Sequence, residues 1–386
     1  MANLSRLKYK VEHKPKYFNA DALSGLPGNL FTLSIAPVVV VANHLHKLFP
    51  WPFYALTLDV KNNKSTEWID VERYTKASEK ILRYLKAHDF SIFEKLNRLA
   101  IKESEKLRVM SIELIAKLRE MPDSELKNAY EKYMQVYLDF YGFGITTFLY
   151  EHILSERINE RLMAKDERGV EFLHSQLQSN YKSFMTQSEE SLLEIKHAKS
   201  GAQREKLIKK YLDRFYFADT SYEYSQVMTQ KSIAARAKRT THSKKTSGVK
   251  NKLKITLDKT EKNIIGLLRI AEVMRDVRKK INCIGNYTMF RFLDEAARRT
   301  GIPVRLAQQI FFFEFAELVN DPRAIRARLK KRTVVTAMYD GRNARFFEKN
   351  AIREKATGDF STIKGTPASV GKLSGVAKII WVTLVT

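Results

Sequence analysis

The sequence predicts a mainly α protein: a multi-helix assembly with a small N-terminal β-hairpin element and a truncated C-terminal β segment. Three observations carry this expectation. From residue 71 onward, apolar residues recur through most of the chain at steps of three and four, the spacing of one helical face. Capping chemistry punctuates those stretches, as at Pro122-Asp123 and at Gly301-Ile302-Pro303. Strand composition is confined to short runs near the two ends.

Residues 1–70 read as a small mixed α/β region. Within it, residues 53–60 have strand composition, residues 61–64 suit a turn, and residues 66–69 return as a second strand. A helical region spans 71–230. Its first face holds Tyr74, Ala77, Ile81, Leu82 and Leu85. Asp123 is the expected N-cap of a later helix, with Glu125 in the first turn, where free backbone N–H groups favour negative charge. Leu126, Tyr130, Tyr133, Met134, Tyr137, Leu138 and Tyr141 then form one broad apolar stripe, which Gly142 and Gly144 are expected to break. Residues 231–258, rich in Ser, Thr and Lys, read as a basic linker or loop.

A helical connector follows over 259–360. It is expected to contain one helix over 259–282 and another over 286–299, with Cys283 at their junction. Gly301 stands where a left-handed cap belongs, and Pro303 lies just beyond. Asp321-Pro322 opens a last basic helix. Val334, Val335, Ala337 and Met338 then lead to the turn Asp340-Gly341, and residues 345–347 pair back as a hairpin.

Of 386 residues, 44% are hydrophobic and 29% charged, the balance of a globular chain rather than a disordered one. A single cysteine excludes an internal disulfide framework and a C-x-x-C site, and fits a reducing compartment. The first residues lack the apolar core of a signal peptide, and the early apolar run 35–42 is too short to span a bilayer. A cytoplasmic protein without a membrane partner is expected. The net charge of +25 suits polyanions as a class. Nine Lys/Arg and no acids fall within 231–257, which makes Lys244, Lys245, Lys250 and Lys252 the candidate polyanion contacts. That segment carries no Phe, Tyr or Trp, so the aromatic platform typical of single-strand binders is missing.

Chemistry-bearing patterns are few. His44 and His46 have no evident further ligands, and no H-E-x-x-H occurs, so no metal site is expected. Cys283 has no nameable base and reads as a small buried residue. Gly371-Lys372 fails as a phosphate loop, because Thr366 stands where the first glycine belongs and Leu373 follows the lysine. The tyrosine stripe reads as core rather than as a surface for stacking bases.

One stretch is more specific. Gly365-x-x-Ala368-Ser369-x-Gly371-x-x-x-Gly375-x-Ala377-Lys378 resembles the entrance of the mobile phosphohistidine domain of phosphoenolpyruvate-utilising enzymes, which include phosphoenolpyruvate synthase and pyruvate phosphate dikinase. Upstream, residues 264–278, 287–303 and 311–332 look like the helical connector that precedes that domain, with residues 295–303 (EAARRTGIP) the best match. Residues 123–144 and the hairpin over 53–69 are similar to a subgroup of such proteins that lacks the ATP-grasp domain.

The resemblance implies that residues 365–386 are the first, incomplete part of the mobile domain. Gly365, Ala368, Ser369, Gly371, Gly375 and Ala377 are then structural residues of its entrance. Val370 departs from the proline usual in the family, and none of the eight histidines lies after Gly365, where the family's G-G-x-x-S-H motif is found. No catalytic residue is carried over. The expectation is the front portion of a longer phosphotransferase-like protein: a helical scaffold or linker, inactive alone because the phosphohistidine and the nucleotide site are absent. ATP, phosphoenolpyruvate and Mg are implied only for a complete member, with an ATP-grasp domain or chain supplied separately. The rival expectation is a basic α-helical interaction protein that binds nucleic acid or an acidic partner.

Overall fold

A computed structural model describes residues 9–12, 18–42, 45, 49, 54–59, 64–177, 181–241 and 254–354. In chain order, strands β1 (Val11–Glu12) and β2 (Phe18–Pro27) precede short helices α1 (Leu30–Leu33) and α2 (Ala36–Ala42), then β3 (Tyr54–Asp59) and β4 (Lys64–Ile69). The helical body follows: α3 (Val71–Ala87), α4 (Ser91–Lys117), α5 (Asp123–Gly144), α6 (Glu151–Met163), α7 (Gly169–Leu177), α8 (Phe184–Lys196), α9 (Gly201–Phe215) and α10 (Gln230–Arg239). Helix α11 (Lys259–Thr300) is followed by α12 (Val304–Ala307), α13 (Phe315–Asn320) and α14 (Pro322–Leu329). Strands β5 (Val334–Tyr339), β6 (Ala344–Phe347) and β7 (Ile352–Glu354) close the described chain. The fold is mainly α, as the periodicity predicts.

Helix α11 organises the molecule. At about 1.5 Å per residue its 42 residues span roughly 63 Å. Its start is fixed by a capping box: Asp258 accepts from the Glu261 N–H and Glu261 accepts from the Asp258 N–H, both at 2.8 Å. Its end is Gly301 at φ +67°, the left-handed cap expected there. The N-terminal half packs Ile264, Leu267, Leu268 and Ala271 against α3, α6 and α7. The C-terminal half sends Met274, Ile281, Ile284, Phe292 and Leu293 into a larger core with α4, α5 and α13.

Two helix boundaries differ from expectation for one physical reason. The break anticipated around Cys283 does not form, and α5 runs through Gly142 to Gly144. A Cβ on Gly285 would lie 2.1 Å from the Tyr137 ring, and one on Gly144 would lie 2.7 Å from the Arg278 Cβ. These glycines let two helices approach closely, and the packing gained outweighs the ~1 kcal/mol that a helical glycine costs. Asp123 is also displaced: Pro122 is the N-cap, and the Asp123 carboxylate accepts from Arg299 at 2.8 Å.

The basic stretch after residue 230 is only partly a loop. Thr229 and Ser232 form a capping box, and Ile233 and Ala237, one turn apart, bury against Leu192, Ile195, Ile208 and Tyr211. The apolar signal is two residues long, so the surrounding lysines and arginines mask it.

The sheet joins the two ends of the described chain. Its order is β1-β6-β5-β3-β4-β2-β7. Both expected hairpins form: β3 pairs antiparallel with β4, and β5 with β6. Between them, β3 pairs antiparallel with β5 from Tyr54↔Tyr339 to Asp59↔Val334. Parallel pairs β1–β6 and β2–β7 complete it. Strands β1, β2, β3 and β4 therefore share one sheet with β5, β6 and β7.

Candidate functional site: a clamped connector and a buried polar centre

The connector is built from ion pairs buried to different depths. Glu295, with its side chain 6% exposed, accepts from Arg298 at 2.6 and 2.9 Å and from Arg299 at 2.7 Å. The Arg298 and Arg299 hydrogen bonds hold its carboxyl below the ordinary glutamate range. Arg299 also donates to the Leu118 carbonyl at 2.8 Å, tying the end of α11 to the end of α4.

Beyond the Gly301 cap, Phe311, Phe312 and Phe313 wedge against Phe346 of β6, with ring centroids 4.9–6.3 Å apart. The Arg332 side chain is fully buried. It donates to Glu314 at 2.8 and 2.9 Å, to the Gln309 carbonyl at 2.6 Å, and to Glu348. Its guanidinium lies 4.7 Å over the Phe311 ring. A buried cation with this many partners locks the connector onto the sheet.

A second polar group lies at the crossing of α5 and α11. Polar residues Arg278, Asn282 and Asn286 recur every four positions along one side of α11. Tyr137 donates to the Asn286 side-chain oxygen at 3.2 Å. The Asn282 amide donates to the Tyr141 hydroxyl at 3.0 Å and also to that of Tyr222. The two hydroxyls share a hydrogen bond of 3.1 Å. Burial pushes the Tyr137 and Tyr222 phenols far above their ordinary pKa, so they stay protonated and act as donors rather than bases. Arg278 works in the opposite direction on Tyr141 and Tyr222, and Glu67 on β4 adds a small upward push on Tyr141. In the sequence this centre is present only as the four-residue spacing of three polar side chains. Tyr222 carries no sequence signal at all.

The tyrosine stripe is core: Tyr130, Tyr133, Tyr137 and Tyr141 are all buried, and the Tyr130 ring stacks on Phe315 at 4.0 Å. Cys283 is buried as expected, and burial pushes its thiol up to about 12, so it is inert as a nucleophile at neutral pH. Among the described residues, no group of three or more His, Cys, Asp and Glu could hold a metal ion, and no helix is long and apolar enough to cross a membrane. Gly365, Ala368, Ser369, Gly371, Gly375 and Ala377 lie outside the described residues, as do Lys244, Lys245, Lys250 and Lys252.

Comparison with protein-family models, curated proteins and solved structures finds no match to this chain.

Proposed function

We propose that this chain is the helical scaffold and linker of a phosphoenolpyruvate synthase-like phosphotransferase, supporting a mobile phosphohistidine-type domain that begins at Gly365. The observation that supports it best is the anchoring of the connector. The stretch with the strongest resemblance upstream, residues 295–303, ends in a left-handed glycine cap. The next stretch, residues 311–332, is fastened to the sheet by Arg332, Glu314 and the phenylalanine wedge. Strand β7 at the sheet edge then ends at Glu354, shortly before Gly365. A swinging carrier needs a rigid base at its point of departure, and this is one.

In this reading a histidine of the mobile domain carries the phosphoryl group, because a neutral imidazole is nucleophilic near physiological pH. ATP, phosphoenolpyruvate and Mg are handled by other domains or chains. Labelled phosphoenolpyruvate or ATP offered to the 386-residue chain should leave no acid-labile label, and label on that chain would overturn the proposal.

A second reading, polyanion binding, is favoured by one observation. Arg204, Lys206, Lys209 and Lys210 on α9 and Lys238 and Arg239 on α10 are all exposed, and α10 runs in sequence towards the basic residues 244–252. It requires RNA or DNA affinity that falls steeply with salt and weakens when Lys244, Lys245, Lys250 and Lys252 are neutralised. Absence of binding at physiological salt removes it.

A further inference from the structure

An arginine brings five N–H donors and a permanent charge, so a partly buried one is normally matched by a carboxylate. The other partly buried basic residues of α11, Lys280, Arg291 and Arg299, follow that rule. Arg275 pairs with Glu151 at 3.0 Å, Lys280 with Glu105 at 3.3 Å and Arg291 with Asp294 at 3.2 Å. Arg269 has no such pair but is held by two hydrogen bonds to Gln176. Arg278 differs. It is partly buried, and its one hydrogen bond among the described residues is a long 3.4 Å contact to the Thr147 hydroxyl. No described carboxylate lies within ion-pair distance of it.

Its position is nevertheless fixed. The last turn of α5 crosses directly over its stem, where only a glycine fits: a Cβ on residue 144 would lie 2.7 Å from the Arg278 Cβ and 3.0 Å from its Cγ. One turn along α11, Asn282 holds the Tyr141 and Tyr222 hydroxyls with its amide nitrogen. Between them, those two hydroxyls own two protons and use one in their mutual hydrogen bond. A phenol O–H is therefore left over, close to a guanidinium with donors to spare. The whole centre has an excess of donors over acceptors.

We infer that this excess forms a phosphate-binding site in which Arg278, Thr147 and the Tyr141–Tyr222 pair receive the oxygens of inorganic phosphate or of a phosphate monoester. The donors come from α11 (Arg278), from α5 (Tyr141) and the turn after it (Thr147), and from the loop before α10 (Tyr222). Donors contributed by separate elements suit a tetrahedral oxyanion better than a planar carboxylate. A guanidinium fork is also the side chain best matched to two phosphate oxygens. The raised phenol pKa values supply the rest, since a protonated phenol donates to an anion. The inference is independent of the scaffold reading.

The test uses the 386-residue chain with inorganic phosphate as the probe and chloride at equal ionic strength as the control. Phenylglyoxal modification is followed by peptide mass spectrometry. Phosphate should slow modification of Arg278 several-fold and leave the exposed, ion-paired Arg275 unaffected. Phosphate should also raise the melting temperature of the wild type. Arg278→Lys and Tyr222→Phe should each weaken that response about fivefold or more while melting near the wild type in chloride. Equal modification of Arg278 in phosphate and chloride overturns the site even if both variants fail to fold. Protection by pyruvate as strong as that by phosphate overturns the tetrahedral assignment.

Discussion

Gly285 and Arg332 are single residues on which whole contacts depend. Gly285→Ala would drive a methyl group into the Tyr137 ring, and overpacking of this kind costs about 1–3 kcal/mol. Urea unfolding should show that loss, and Gly285→Ala combined with Tyr137→Leu should recover part of it. Arg332→Met strips Glu314, whose side chain is 4% exposed, of its buried partner and leaves it only Arg328 at 2.8 Å and the Phe311 N–H at 2.7 Å, at a cost of up to about 3–5 kcal/mol. Adding Glu314→Gln should restore much of the loss, whereas a purely steric role for Arg332 would leave the double variant no better than the single one. Glu295 adds a pH dependence whose sign is fixed. Its folded pKa is depressed by Arg298 and Arg299, so its contribution is full above the unfolded value of about 4.3 and is lost as pH falls through the lower folded value. The melting-temperature gap between wild type and Glu295→Gln should therefore be present at pH 7 and close towards pH 3.

Among the elements, α11 shows what its sequence could and could not disclose. Its C-terminal cap, Gly301, follows local backbone chemistry and was legible, whereas the Asp258–Glu261 capping box at its start was not read. Gly301→Ala should cost about 1–2 kcal/mol, the penalty of a left-handed conformation for a residue with a Cβ, and thermal unfolding measures it. Its continuity through Gly285 was not legible, because a glycine that breaks a helix and one that admits a neighbouring ring look the same in one dimension. The same limit hid α10, where two buried residues sit among exposed cations. Both hairpins were legible because each pairs strands that are close together in the sequence. The β3–β5 pairing was not, since nothing in either strand names its distant partner. The four-residue spacing of Arg278, Asn282 and Asn286 is present in the sequence but does not set them apart from the other polar residues of α11, and Thr147 and Tyr222 arrive from elsewhere in the chain.

At the scale of the whole molecule, the described chain is closed on itself by the sheet. Removing residues 331–386 should strip β3 of its β5 neighbour and expose an edge, with lower stability and concentration-dependent aggregation seen by light scattering. Unchanged stability in that truncation would mean that the helical body holds the N-terminal hairpin by itself. The β3–β5 pairing also bears on synthesis. Translation proceeds at ~5–20 residues per second, so on the ribosome β3 emerges roughly 15 seconds to a minute before the strand that covers it. During that interval the open edge is available to any other nascent chain. Crowded polysomes or overexpression should therefore penalise this protein more than its folded-state stability suggests, and slow growth or added chaperone should favour its recovery.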